Sequence, residues 1–466
     1  MKDNNINRRN FLNIIGAGAV TMAVAACGRK TKDGDAAPSS MSSGNKAAGE
    51  MTYRTNPYTG DKVSILGFGC MRLPTLDKEL PDGNNIDQEA VNRQVDYALE
   101  HGINYFDTSP AYCKGFSERV MGVALSRHPR DSYFIATKLS NFSPDTWSRK
   151  NSLDMYHKSF KELQVDYIDY MLLHGIGMGG MDAFNGCYVD NGILDFLVKE
   201  REAGKIRNLG FSYHGDVEVF DNMLKMQDEG KIHWDFVQIQ LNYIDWKHAK
   251  EVNPRNTDAE YLYFELHKRG IPAVIMEPLL GGRLAQVNDH LVGKYKSLRP
   301  DDSIASWAFR FAGTPEGVLT VLSGMTYMEH IQDNLHTYSP LEPCTPSELE
   351  MLEAAAQEIL HFPTVPCTDC KYCMPCPYGL DIPAIFKHYN KCINEGNVNE
   401  NTQDPNYREA RKAFLVGYDR SVPKLRQANH CIGCGQCKPH CPQGINIPER
   451  MAAIDSYVET LKRNKA

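Results

Sequence analysis

Residues 87–109 read DQEAVNRQVDYALEHGINYFDTS. Apolar side chains recur at helical spacing through DQEAVNRQVDYALEHG, and INYFDTS is then a short β-branched and aromatic run containing Asp107. A helix feeding a strand is the unit that this stretch predicts, and the unit repeats on both sides. Further strand candidates are Val63–Met71, Tyr133–Leu139, Ile168–Gly175, Ile206–Ser212, Phe236–Asn242, Ala273–Leu279 and Val318–Met325, which with Ile103–Ser109 make eight. Most intervening segments, such as SLDMYHKSFKELQ, keep helical periodicity. Eight strand–helix units over residues 52–343 predict an α/β chain folded as a (β/α)8 TIM barrel, with chemistry at the C-terminal strand ends. A doubly wound sheet is the rival fold, but no G-x-G-x-x-G opens a helix after the first strand.

Titratable side chains fall where a barrel would use them. Asp107 closes the second strand, Tyr112 follows in its loop, Lys138 is near the end of the third strand, and His174 ends the fourth. Singly, Asp107 reads as a helix cap and His174 as a hydrogen-bonded core residue. Four such groups at the ends of three consecutive strands point to catalysis.

FDTSPAY, SERVMGVAL, ATK and DYIDYMLLH occur in that order, and over Val63–Leu335 the chain resembles the aldo/keto reductase family. The resemblance implies a catalytic tetrad of Asp107, Tyr112, Lys138 and His174, a small carbonyl or alcohol substrate, and NADP or NAD lying across the barrel mouth. It also implies cofactor contacts at Ser212, Gln238, Ser323, Gly324 and Asn334. Tyr213 departs from a common asparagine, Met276 from the aromatic residue that stacks on the nicotinamide in many members, and Gly324 and His330 from basic residues that grip a 2′-phosphate. Independently, an ammonium ~4 Å from a phenol at an effective dielectric of ~20 favours tyrosinate by ~4 kcal/mol, or about three pKa units. Lys138 is therefore expected to draw Tyr112 toward neutral pH, with Asp107 keeping the lysine charged and His174 orienting the carbonyl oxygen.

Beyond Pro343 the composition changes, and residues 344–466 read as a second domain. Eight of the fourteen cysteines fall in two spaced runs: Cys367, Cys370, Cys373 and Cys376, then Cys431, Cys434, Cys437 and Cys441. CPYGLDIPAIF after the first run is echoed by CPQGINIPERM after the second, which marks an internal duplication. Zinc would call for separated C-x2-C pairs closing four-coordinate sites, and disulfides are the remaining rival. Three cysteines spaced by two, with a proline after the fourth, fit two [4Fe–4S] clusters better. The second run resembles the bacterial ferredoxin run residue for residue; the first is one residue short before its last cysteine. That resemblance implies crossed ligation, Cys441 joining Cys367, Cys370 and Cys373 while Cys376 joins Cys431, Cys434 and Cys437. Helical stretches between the runs suggest a helical, ferredoxin-type module.

The front of the chain reads as an address. Lys2, Arg8 and Arg9 precede a 16-residue apolar run, Phe11–Ala26, too short for the ~20 residues that span a bilayer. RRNFL resembles a twin-arginine signal, and VAAC places Cys27 where a bacterial lipoprotein carries its lipid. Residues 1–27 are thus expected to direct export to the periplasm or cell envelope with a lipid anchor on Cys27, and residues 28–51 to form a flexible tether. The 466 residues are 42% hydrophobic and 23% charged, which suits a folded core, and the net charge of −7 argues against nucleic acid as a main partner.

Together these features predict an exported oxidoreductase that interconverts a carbonyl and an alcohol and carries two clusters for electron transfer or structure. The alternative is an iron–sulfur electron-transfer protein whose barrel is a scaffold or a docking domain for a redox partner. A binding protein with structural clusters is a third reading.

Overall fold

The computed structural model describes residues 49–464. The expected signal, the lipidation site at Cys27 and nearly all of the tether lie outside the described residues. An antiparallel hairpin opens the fold, β1 (Tyr53–Thr55) with β2 (Lys62–Ser64). Eight parallel strands then close into a barrel: β3 (Leu66–Gly69), β4 (Tyr105–Asp107), β5 (Phe134–Leu139), β6 (Ile168–Ile176), β7 (Ile206–Tyr213), β8 (Phe236–Gln240), β9 (Ala273–Met276) and β10 (Val318–Ser323). Strand β10 pairs with β3, so the sheet has no edge. All eight strands expected from the sequence are present.

Alternation along the strands divides the apolar side chains into two layers. Tyr105, Ala136, Tyr170, Leu172, Phe236, Val274 and Leu319 share one cluster, with Tyr170 at 5.0 Å from both Tyr105 and Phe236, ring to ring. Residues of the opposite register, such as Phe106, Ile135, Met171 and Leu173, pack in a second cluster with the helices. The hairpin closes the N-terminal end, where Asn56 donates to Asn208 (3.1 Å) and Tyr170 to Asp61 (2.9 Å). The C-terminal strand ends, opposite the hairpin, are left for chemistry.

The junction between the domains differs from the expected break at residue 343. Helix Pro346–Leu360, started by a Thr345/Glu348 capping box, buries Leu349, Leu352, Ala355 and Ala356 in the barrel's cluster. A separate core begins at Val365 and gathers Ile385, Phe386, Phe414, Tyr418, Met451 and Ile454 from helices Ile382–Asn394, Tyr407–Ser421 and Ile447–Arg463. The apolar face of helix Pro346–Leu360 assigns it to the barrel.

The helical module sits over the C-terminal strand ends. Arg72, just past β3, donates to the Thr368 carbonyl and pairs with Asp369 (3.2 Å). Arg283, past β9, donates to Thr364 (2.8 Å), and Asn253, past β8, to the Pro442 carbonyl (3.1 Å). Gly281 (φ 68°) lies directly under the Thr368 backbone, where any Cβ would collide.

Candidate active site

Three strand ends and one turn bring the four expected catalytic residues together. Asp107 is the last residue of β4, Lys138 lies in β5 and His174 in β6, all buried. Tyr112 follows β4 on a short turn in which Cys113 and Lys114 adopt left-handed backbone (φ 51° and 57°). Its ring stands 4.9 Å from the Lys138 Nζ and 6.0 Å from the His174 ring. Lys138 forms an ion pair with Asp107 and donates to the Thr108 carbonyl (2.9 Å). Several contributors carry no sequence motif. Ser140 and Ser109 reach His174 Nδ1 at 2.6 and 3.4 Å, and the Phe142 ring lies tilted at 4.7 Å from the His174 ring.

Burial dominates the electrostatics. It pushes the Tyr112 phenol well above its ordinary pKa, and the negative charge on Asp107 adds to the rise. This overturns the expectation that Lys138 would bring Tyr112 toward neutrality. The lysine is held by Asp107, and the phenol loses more hydration than the ammonium returns. Burial also holds His174 well below its usual range, with the Lys138 charge contributing, so its imidazole is neutral. His214, just past β7, is lowered to about 4 by the same two causes.

The eight expected cluster cysteines form two groups. Burial raises the thiols of Cys367 to about 12 and of Cys370 to about 11, and Cys441 bears on both of them and on Cys373 as a neighbouring charge. Cys437 is likewise raised by burial and then by Cys431, Cys434 and Cys376. Cys441 thus lies beside the first run and Cys376 beside the second. All eight thiols are free, and among the described residues no three His, Cys, Asp or Glu side chains close on a single metal ion. Two sets of four free thiols are the donor chemistry that iron–sulfur clusters require. Despite the shortened first run, both loops turn alike: Asp369 and Lys371 are left-handed, as are Gly433 and Gly435 at the matching positions of the second.

The profile of the aldo/keto reductase family matches residues 65–357, and that of a 4Fe-4S dicluster domain matches residues 366–446. The chain belongs to the aldo/keto reductase family. It is 26% identical to L-galactose dehydrogenase of Arabidopsis thaliana over 302 residues, 61% of this chain and 87% of the relative. It is 38% identical to D-arabinose 1-dehydrogenase of Saccharomyces cerevisiae over 129 residues, 26% of this chain and 36% of that protein. In fold it is similar to the holo form of aldo-keto reductase AKR11C1 from Bacillus halodurans, with a TM-score of 0.52 at 24% identity over 66% of this chain and 96% of the other. This aldo/keto reductase is an oxidoreductase whose barrel carries an appended iron–sulfur module.

The residues expected to contact a nicotinamide dinucleotide are in place along the mouth, but each polar one has a partner inside the protein. Ser212 accepts from the Gly175 amide (2.9 Å), Gln238 donates to Asp107 (3.2 Å), and Asn334 donates to Ser323 (2.9 Å). Gly324 is exposed, but the Arg72 side chain lies across it, 3.1 Å from where a Cβ would stand. From there Arg72 continues to Thr368 and Asp369, and Thr368 presses on Gly281. Tyr372, between Cys370 and Cys373, stands 6.0 Å from Phe142, ring to ring. The side chains fit a dinucleotide in kind, and the seated module covers part of the mouth at Gly324 and Gly281.

Proposed function

We propose that this aldo/keto reductase interconverts a carbonyl and an alcohol at the Tyr112 site beneath the iron–sulfur module. The convergence of Tyr112, Lys138 and His174 on one buried rim carries this reading. Tyr112, held protonated by its burial, is a proton donor to the developing alkoxide. Asp107 holds the Lys138 ammonium 4.9 Å from the phenol ring, where it favours negative charge arising on the oxygen as the proton leaves. A hydroxyl proton given by Ser140 to His174 Nδ1 leaves Nε2 as a donor for the carbonyl oxygen. When bound, NADP or NAD supplies a hydride and the two clusters pass electrons singly. A dinucleotide lying over Gly324 would displace the Arg72 side chain.

The relatives named for L-galactose and D-arabinose make sugars the first substrates to test. Anaerobically prepared protein would be offered aldoses, simple aldehydes and the matching alcohols, with NADPH, NADH or a reduced viologen as electron source. Tyr112→Phe should lower turnover by at least ~10²-fold; turnover retained in that variant overturns the assignment. The module seated over Gly324 and Gly281 favours the second reading, an electron-transfer protein with the barrel as scaffold, which the same assay would reveal as cluster reduction without carbonyl turnover. Export with a lipid on Cys27 completes the proposal, and Cys27→Ala should move the protein from the membrane to the soluble fraction.

A further inference from the structure

The two thiol groups have opposite surroundings. The loop of the first is pressed against the barrel by Arg72, Arg283 and Gly281, whereas the loop of the second faces outward, with Ile432, Gly433 and Cys434 all exposed. Large apolar side chains stand open around it: Leu425 is 79% exposed, Ile432 63% and Tyr378 45%. They belong to one patch. The Asp381 amide donates to the Arg426 carbonyl (3.1 Å), and His430 Nε2 lies 3.1 Å from the Lys424 carbonyl. The strip from Tyr378, the 424–426 turn and the second loop are thus laced together.

Asp381 caps the helix behind Tyr378, and along the 420–448 stretch of this patch the charge has one sign. From residue 420 to 448 the sequence holds Arg420, Lys424, Arg426 and Lys438 and no Asp or Glu, in a chain whose net charge is −7. All four cations are exposed. The acids that bound the stretch are engaged, Asp419 accepting from Gln427 (3.0 Å) and Glu449 from Asn446 (2.6 Å). Short-lived electron-transfer encounters use small interfaces, with an apolar centre for contact and a charged rim for steering.

We propose that the face formed by Tyr378, Leu425, Ile432, Lys424, Arg426 and Lys438 is the docking site for an acidic one-electron carrier protein. The group held by Cys376, Cys431, Cys434 and Cys437 is its contact point, and the group at the barrel mouth is the inner station. This rests on the eight thiols holding two redox-active clusters. One electron leaves the reduced carrier, which is oxidised, and reduces one cluster of the module; no bond is made or broken.

The test uses the full chain with its clusters and an acidic plant-type ferredoxin as the probe, reduced beforehand. Cluster reduction is followed by loss of visible absorbance in stopped flow. The combined reversal Lys424→Glu, Arg426→Glu and Lys438→Glu should slow it at least tenfold at low salt, and the wild-type rate should fall as salt is added. Leu425→Gln alone, at an exposed position, should slow it with unchanged iron content. Lys158→Glu with Lys199→Glu, on the outer barrel helices, should leave the rate unchanged. Equal rates in the triple reversal and the wild type, or a wild-type rate indifferent to salt, overturn the proposal. So does binding to phosphatidylglycerol vesicles that the reversal abolishes while the ferredoxin rate stays unaltered, which would assign the face to lipid headgroups. Failure of the carbonyl reading is distinct, since it leaves carrier-driven cluster reduction intact.

Discussion

Tyr372 belongs to the iron–sulfur module, yet its ring stands 6.0 Å from that of Phe142 in the barrel, which itself lies 4.7 Å from His174. The roof of the site is therefore contributed by a residue between two cluster cysteines, and access to the tetrad depends on how that loop is held.

Removing the roof should open the groove. Tyr372→Gly is expected to tighten NADPH binding by about tenfold, which corresponds to ~1.4 kcal/mol. Titration of NADPH fluorescence against wild type and variant reads this directly; equal affinities would mean that the ring does not obstruct the dinucleotide.

The direction of the Tyr112 shift sets a pH profile. With its phenol titrating well above 10, carbonyl reduction keeps its proton donor throughout pH 6–9 and should show no alkaline fall there. Alcohol oxidation needs the phenolate, so its rate should climb about tenfold per pH unit over the same range. His214, lowered to about 4, and His174, held well below its usual range by burial, stay neutral in this window and add no inflection. An inflection near pH 7 in the reduction direction would contradict the assignment.

Breaking the buried ion pair should be costly. Lys138→Met leaves Asp107 buried without its counter-charge, with an expected loss of ~3–5 kcal/mol. Without the ammonium, the folded-state pKa of Asp107 rises further above its unfolded value. The deficit should therefore shrink as the pH is lowered and the carboxyl takes up a proton, and grow as the pH rises. Thermal unfolding of Lys138→Met beside Lys138→Met/Asp107→Asn measures both effects, the double variant being the more stable near neutrality.

Exchange of the fourth cysteines predicts a crossed phenotype. Cys441→Ser should disturb the cluster whose other ligands lie more than sixty residues upstream, at Cys367, Cys370 and Cys373, and Cys376→Ser the one at Cys431, Cys434 and Cys437. Iron analysis with EPR of the reduced protein distinguishes this from local ligation, in which Cys441→Ser would spare the Cys367 group.

The strands, the tetrad and the cysteine groups were legible because each is written locally. A buried strand announces itself in seven residues, and a cluster loop in ten. Ser140, Phe142 and His214 were not legible, since each is an ordinary residue until strand register brings it beside His174 or Lys138. The expected fall in the Tyr112 pKa failed for the same reason. Charge proximity could be guessed from a motif, but the loss of hydration follows from everything packed around the phenol.

From its order of residues alone, this protein is a barrel of eight strand–helix units followed by a duplicated cysteine module, because periodicity and ligand spacing depend on neighbours along the chain. The seating of that module on the barrel mouth depends on Arg72 meeting Asp369 and Gly281 admitting the Thr368 backbone, contacts across 297 and 87 positions. No local pattern encodes such meetings. They arise when two separately formed cores bury a shared surface, and they make one cysteine group the roof of the reaction site while leaving the other open to solvent.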